Sequence, residues 1–276
     1  MRRNPAESQS LSGGDLISIV IPVQNGENFL ADAIESCLTQ DYLNFEIIVG
    51  VNPSTDRTSE VAMHYVQDTR VRIINFESTV NMPTNFNRSA KYARGTYLKF
   101  LCHDDILTKN ALSLLREGFS NHSGVVLTLG YEQFIGSNRD MRGATSFGAL
   151  PRLSGIRNFT RLVRRGNWIG GPSSVMLRTS DFLTRSFDEG LKCSFDYAYW
   201  LYLSDKGAVA IVPEIVINSR VHPGQATNYC QISGFAVENQ KILQRYLFRK
   251  ERFFFFRRAL IILRIILNIS KRRIAK

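Results

Sequence analysis

His103-Asp104-Asp105 closes the run Gly95-Thr-Tyr-Leu-Lys-Phe-Leu-Cys-His-Asp-Asp-Ile, which is apolar from Tyr97 to Leu101 apart from one lysine. Two adjacent carboxylates after such a run have a definite chemistry open to them. Ionised carboxylates are hard oxygen ligands for Mg²⁺ or Mn²⁺, and such ions are usually held by one or two of them together with substrate phosphates. If the run is a strand of an open α/β sheet, the pair sits at its carboxyl end, where such sheets bind ligands. The competing reading is structural: Asp105 as the cap of a helix starting near Leu107.

The surrounding elements fit the first reading. Leu16 to Val23 is a short β-branched run of the kind found in buried parallel strands. Asn25-Gly26 then makes a turn. Apolar residues at helical spacing follow over Glu27 to Gln40. Phe45 to Val51 reads as a second strand, Ser54-Thr55-Asp56 as the start of a helix through Val61, Ala62 and Tyr65, and Val71 to Phe76 as a third strand. A helix is expected over Thr84 to Ala93, and the fourth strand leads into the acidic pair. This alternation predicts an α/β fold with a mixed, mostly parallel sheet flanked by helices. Beyond Leu112 the pattern loosens. Strands are expected at Val125 to Gln133 and Ser173 to Leu177, helices at Ile156 to Arg165 and Tyr197 to Leu203, and two short strands around Pro213-Glu214 within Val209 to Val221.

With 276 residues, 44% of them hydrophobic, the chain can bury one large core. Its net charge of +11 is unevenly placed. Residues 245–276 hold eleven Lys or Arg and one acid, a net +10, which leaves about +1 for residues 1–244. A near-neutral body argues against nucleic acid as a partner. Cys37, Cys102, Cys193 and Cys230 are far apart with no CxxC pair, which argues against a zinc site or disulfide framework and fits a reducing compartment. Residues 1–14 have no apolar core and read as a loose tail rather than a signal peptide.

Seven segments in order resemble family 2 glycosyltransferases of the GT-A (Rossmann-like) fold, over about residues 16–225. They are Ser18-Ile-Val-Ile-Pro-Val-Gln-Asn-Gly-Glu, Ala33-Ile-Glu-Ser-Cys-Leu-Thr-Gln, and Phe45-Glu-Ile-Ile-Val-Gly-Val-Asn-Pro-Ser-Thr-Asp-Arg-Thr; then Ala93-Arg-Gly-Thr-Tyr-Leu-Lys-Phe-Leu-Cys-His-Asp-Asp and Gly170-Gly-Pro-Ser-Ser-Val-Met-Leu-Arg; and finally Phe187-Asp-Glu-Gly-Leu-Lys-Cys-Ser-Phe-Asp-Tyr and Arg220-Val-His-Pro-Gly-Gln-Ala-Thr. The resemblance implies metal-assisted, inverting transfer of a sugar from a nucleotide-sugar donor, a UDP-sugar foremost, to a glycan or lipid-linked glycan in surface-polysaccharide assembly. A divalent ion neutralises the leaving diphosphate and a general base takes the acceptor proton.

Roles carry over residue by residue. Asp104 matches the last carboxylate of the family's Asp-x-Asp motif and is the expected ligand for Mn²⁺ or Mg²⁺. Cys102 and His103 fill the two earlier positions; a thiol is a poor ligand for a hard ion, and His103 faces either ribose and phosphate or a turn. Asp196 matches the second acid of the family's Glu-Asp pair and is the expected base, with an N-cap of the following helix as the alternative; Phe195 replaces the first acid. Pro22, Gln24 and Asn25 are implied to line the nucleotide pocket. Val51 replaces an Asp that binds uracil in many relatives, leaving Asn52 as a substitute acceptor and dTDP or GDP donors open. Asp56 is placed near the nucleoside or as a helix cap, and Arg94 and Asn87 near the donor or at the surface. Arg220 with His222 forms a basic pair for the pyrophosphate, or His222 completes the metal site. The losses at Val51, Cys102 and Phe195 leave open a second reading, a degenerate relative that binds nucleotide or glycan without catalysis.

Residues 226–276 are expected to form a helical, basic, amphipathic segment. In Glu251 to Lys276 the residues Arg257, Arg264, Asn268 and Lys271 form one stripe opposite Ile, Leu and Phe. The pattern is too short and charged to span a bilayer. It suits a helix lying in an anionic membrane interface, so residues 245–276 point to a peripheral enzyme on the cytoplasmic face. The alternative is packing on the domain with snorkelling arginines.

Overall fold

The computed structural model describes residues 14–121, 124–137, 141–145, 152–247, 259 and 261–263. The amphipathic stripe of residues 251–276 and the tail before residue 14 lie outside the described residues, apart from those four at 259 and 261–263.

The first half alternates as its pattern requires. β1 (Ile17–Val23) leads to α1 (Leu30–Leu38), β2 (Phe45–Val51), α2 (Thr58–Met63), β3 (Val71–Asn75), α3 (Met82–Ala90) and β4 (Tyr97–Phe100). All residues of β1, β2 and β4 are buried, which is why they read as continuous apolar runs. Helix α3 starts two residues earlier than Thr84 because the Asn81 side chain accepts from Thr84 N and caps it. The remaining elements are β5 (Ile106–Leu107), α4 (Ala111–Ser120), β6 (Val125–Gly136), β7 (Met141–Ala144), β8 (Arg152–Leu153), α5 (Gly155–Arg165), β9 (Val175–Arg178), α6 (Thr179–Thr184), α7 (Phe195–Leu203), β10 (Ala208–Val221) and α8 (Ala226–Leu247).

The main sheet runs β3-β2-β1-β4-β9-β6-β10-β5. β3, β2, β1 and β4 pair in parallel, as do β6 and β10, while β9 and β5 run against their neighbours. The expected mixed, mostly parallel sheet flanked by helices is therefore present. Chain order reverses between β1 and β4, so the crevice past their carboxyl ends is the place where a ligand sits in such a sheet.

Three local expectations are corrected. Asp105 caps no helix: its Oδ1 accepts Arg220 N at 3.0 Å, the chain continues into β5 against β10, and the next helix starts at Ala111. Pro172–Ser174 is a 3₁₀ turn, with Pro at its first position, before β9 begins at Val175. Val209 to Val221 lies within one strand, whose register against β6 shifts between Ile211 and Ile215. Pro213 falls in that gap, where it withholds no N–H that the ladder uses.

One core layer is rich in aromatic rings: Phe86, Phe100, Phe182, Phe187, Tyr199 and Trp200 meet edge to face or tilted. Trp200 is fully buried, and its Nε1 donates to Gly170 O at 3.1 Å, tying the core to a crevice loop. Trp200→Ala should cost about 3–5 kcal/mol of stability, read from urea unfolding; a loss under about 1 kcal/mol would show that the site collapses freely around the gap.

Cys193 and Cys230 form a disulfide with Cα atoms 5.6 Å apart, across a sequence separation of 37 residues. This bond corrects the reading of the four spaced cysteines as unbridged thiols of a reducing compartment. Docking of α8 beside the connection that enters α7 is what brings the bonded pair together, and no local pattern encodes it, so the spacing carries no information about compartment. Cys37 and Cys102 are free. Among the described residues no helix is long and apolar enough to cross a membrane.

Candidate active site

A cavity of about 1000 Å³ opens past the carboxyl ends of β1 and β4. Its first wall is the turn after β1. Pro22, Gln24 and Asn25 all line it. Asn25 has φ 50°, a left-handed conformation that Asn tolerates. Its side chain accepts from Thr55 N at 2.9 Å, and Gln24 Nε2 donates to Pro53 O at 3.1 Å, so the two loops of this wall are stitched together. Gly26 makes room for the next element: a Cβ there would lie 2.6 Å from the His103 ring.

The floor is the end of β4. Cys102, His103, Asp104 and Asp105 line the cavity, and the donor atoms of Cys102, Asp104 and Asp105 lie within 4.8 Å of one another. Their chemistry separates them. Burial, the neighbouring Asp105 and Asp104 charges push the Cys102 thiol well above its ordinary value, so it is a protonated thiol and no ligand for a hard ion. Burial and the adjacent Asp104 charge hold Asp105 above the usual carboxylate range. Burial would raise Asp104 too, but the hydrogen bond with His222 and the nearby His103 ring outweigh it and hold that carboxyl low. Burial, opposed by the Asp104 charge, lowers His103 below its ordinary value. His222 Nε2 lies 3.0 Å from Asp104 Oδ2. One ionised carboxylate with an imidazole beside it fits Mn²⁺ or Mg²⁺, with the remaining positions left for phosphate and water.

The opposite wall carries Asp196. Its Oδ2 accepts from Asn167 Nδ2 at 2.8 Å and its Oδ1 from Tyr197 N at 2.7 Å. Although one side of this residue opens on the cavity, burial outweighs these bonds and lifts the carboxyl to about 7. That is a suitable value for a general base near neutral pH.

Other expected site residues stand elsewhere or are already engaged. Arg94 is at the opposite, amino-terminal edge of the sheet, where Glu46 takes its guanidinium at 2.7 Å, so a donor contact is corrected to a structural ion pair. Asp56 does not line the cavity; its oxygens accept from Glu27 N and Thr58 N, both at 3.0 Å, so it braces the turn before α2, whose N-cap residue is Arg57. Asn52 does line it, but its amide oxygen accepts from Val80 N and Arg88 Nη2 and its nitrogen donates to Val80 O. Both lone pairs of the expected base acceptor are thus in use. Asn87 is a buried strut to Phe187 O and Glu189. Arg220 is almost fully buried, and its guanidinium donates to Asp104 O, Ser137 O and Asp32 while lying over the Phe29 ring. It fixes the loop that carries Asp104, and His222 alone of the basic pair reaches that carboxylate.

Two charged residues were missed. Glu132, on β6, lines the cavity near Asp196, and burial raises its pKa despite a hydrogen bond with Ser174 and the Lys99 charge. Gly170 leaves space for it: with φ 93°, its absent Cβ would lie 2.7 Å from Glu132 Oε1. Lys99 is fully buried on β4, donates to Phe100 O at 2.9 Å and to Ser173 O, and is pushed down to about 8 by burial. A lone lysine in an otherwise apolar strand was the signal available for it.

Known proteins resemble this chain in sequence and in fold. The profile described as glycosyl transferase family 2 matches residues 18–182. An uncharacterised glycosyltransferase of Rickettsia typhi is 29% identical over 229 residues, covering 77% of this chain and 66% of its own length. A similar protein of Rickettsia conorii is 28% identical over 77% of this chain but only 35% of itself, so the chain spans between a third and two thirds of these relatives. S. aureus TarS residues 1–349 superpose with a TM-score of 0.69 at 17% identity, over 90% of this chain and 71% of that one. The same TarS fragment in complex with UDP-GlcNAc gives 0.68 at 20% identity, over 86% and 68%.

Proposed function

Because the chain belongs to glycosyl transferase family 2, we propose that its cavity takes a nucleotide-sugar, a UDP-sugar foremost, and moves the sugar with inversion to a hydroxyl of a glycan or lipid-linked glycan. The observation that carries this reading is one cavity faced by two acids of opposite character, Asp104 held ionised and Asp196 lifted to about 7.

Pro22, Gln24 and Asn25 form the wall beside the nucleoside, with Asn52 shaping it through its hold on Val80. Asp104 with His222 would hold a divalent ion, which would supply Lewis-acid neutralisation of the diphosphate. Asp196 receives the proton of the acceptor hydroxyl as that oxygen bonds to the anomeric carbon and the carbon–oxygen bond to the diphosphate breaks. Asn167 orients the receiving carboxylate. The similar fold of TarS, crystallised with UDP and with UDP-GlcNAc, supports a uridine donor. The net +10 of residues 245–276 supports a peripheral place on an anionic membrane surface, where a lipid-linked acceptor would be met.

The test is release of nucleoside diphosphate from UDP-, dTDP- and GDP-sugars with Mn²⁺ or Mg²⁺. One nucleotide class should be turned over, and chelation should stop it. No release from any class, with glycan acceptors present, would contradict the proposal.

A further inference from the structure

Helix α8 holds the segment that enters α7 at three separate points. Glu238 gathers three consecutive backbone donors: Oε1 accepts from Lys192 N at 2.8 Å, and Oε2 from Cys193 N and Ser194 N, both at 2.9 Å. Cys230, on the first turns of α8, is bonded to Cys193. Arg245, near its other end, pairs with Asp188 at 2.5 Å.

Successive N–H groups that converge in this way form an anion-binding concavity. Here α8's own carboxylate fills it. The concavity lies at the start of α7, where the partial positive charge of the helix end also favours a carboxylate. Ser194 provides no side-chain cap for that helix. Asp196 is in its first turn, two residues after the last amide that Glu238 holds. Cys193 and Cys230 line the cavity, whereas Glu238 does not, so any influence of Glu238 on the reaction passes through the chain it holds.

We propose that α8 is a clamp that sets the position of Asp196, with Glu238 as its positioning residue and the Cys193–Cys230 bond as a covalent second tie. The proposal rests on Asp196 being the base. In Glu238→Gln one oxygen becomes an NH₂ group that faces backbone donors, so at least part of the three-bond set is lost while size is kept. A displacement of the order of 1 Å at a catalytic group costs about 100-fold in rate. Reduction by a dithiol, which supplies two electrons and leaves as its own disulfide while both cysteines become thiols, removes the second tie.

The experiment uses the full chain. Hydrogen exchange is followed over residues 188–203 in wild type, Glu238→Gln and Glu238→Asp, each oxidised and reduced, and kcat and donor KM are measured on the same samples. The clamp predicts faster exchange confined to that segment in Glu238→Gln, a kcat lower by about 10- to 100-fold, donor KM within about twofold, and partial recovery in Glu238→Asp. Reduction should add to the exchange in the same segment. Unchanged exchange would overturn the clamp. Faster exchange with unchanged kcat would overturn positioning, and so would a joint collapse of kcat, donor KM and exchange protection across the whole chain, which marks plain destabilisation. A wild-type chain without turnover would remove the Asp196 reading and the positioning role with it, while the exchange data would still report whether α8 holds the segment.

Discussion

Asp196→Asn is expected to lower kcat by about 10²- to 10⁴-fold, the span typical for loss of a general base, with donor binding unchanged. The amide keeps the shape of the carboxylate and can still accept from Tyr197 N through its oxygen, but it cannot take a proton. In wild type the working form is the ionised one. With its carboxyl at about 7, kcat/KM should rise close to tenfold per pH unit below that value and level off above it. The variant should lose this limb along with its rate. Stability provides the control, and its sign is fixed. A carboxylic acid raised by burial binds its proton more tightly folded than unfolded, so its contribution to stability is fullest below the unfolded value of about 3.9. That contribution declines as pH rises towards 7. Asn carries no such penalty, so the unfolding temperature at pH 8 should hold or rise. A large fall there, or a rate within a fewfold of wild type, would remove Asp196 from the base role.

Asp104→Asn should reduce kcat/KM by about 100-fold or more, corresponding to the several kcal/mol that a Lewis acid supplies to a leaving diphosphate. The substitution keeps an oxygen for His222 and removes the charge. Excess Mn²⁺ should recover part of the loss. Asp105→Asn is the internal comparison. Asp105 is held above the usual carboxylate range, and its oxygen serves Arg220 N at 3.0 Å, a bond that an amide oxygen can replace. Its kcat/KM should therefore stay within a fewfold of wild type. Equal losses at both positions would mean that the pair acts as one ligand set and that the division between them is wrong.

Much of the site-bearing half was legible because its information is local. β1, β2 and β4 are buried on both faces, so each appears as an unbroken apolar run, and the residues after β1 and β4 follow directly from where those runs stop. Asp104 and Asp196 were visible as acids in matching context, and the structure brings both to one cavity. The residues whose bonds the sequence does not show share a different property: their partners are distant in sequence. Arg94 is drawn to Glu46, Asn52 to Val80 and Arg88, and Arg220 to Asp104, Ser137 and Asp32. Nothing in the neighbouring residues announces those bonds. The same holds for Cys193 with Cys230 and for Glu238, which depend on where α8 docks. Glu132 lies in a strand whose pairing with β10 passes through a register shift, so no period marked which of its residues would face the cavity.

Whether a metal-assisted uridine donor fills the cavity is decided by an equilibrium titration of the wild-type chain with UDP, with and without Mn²⁺, repeated on Asp104→Asn. Binding should be saturable at one site and tightened by Mn²⁺ in wild type, with that tightening lost in the variant. Absence of UDP binding, or a Mn²⁺ effect of equal size in both proteins, would contradict the proposed function.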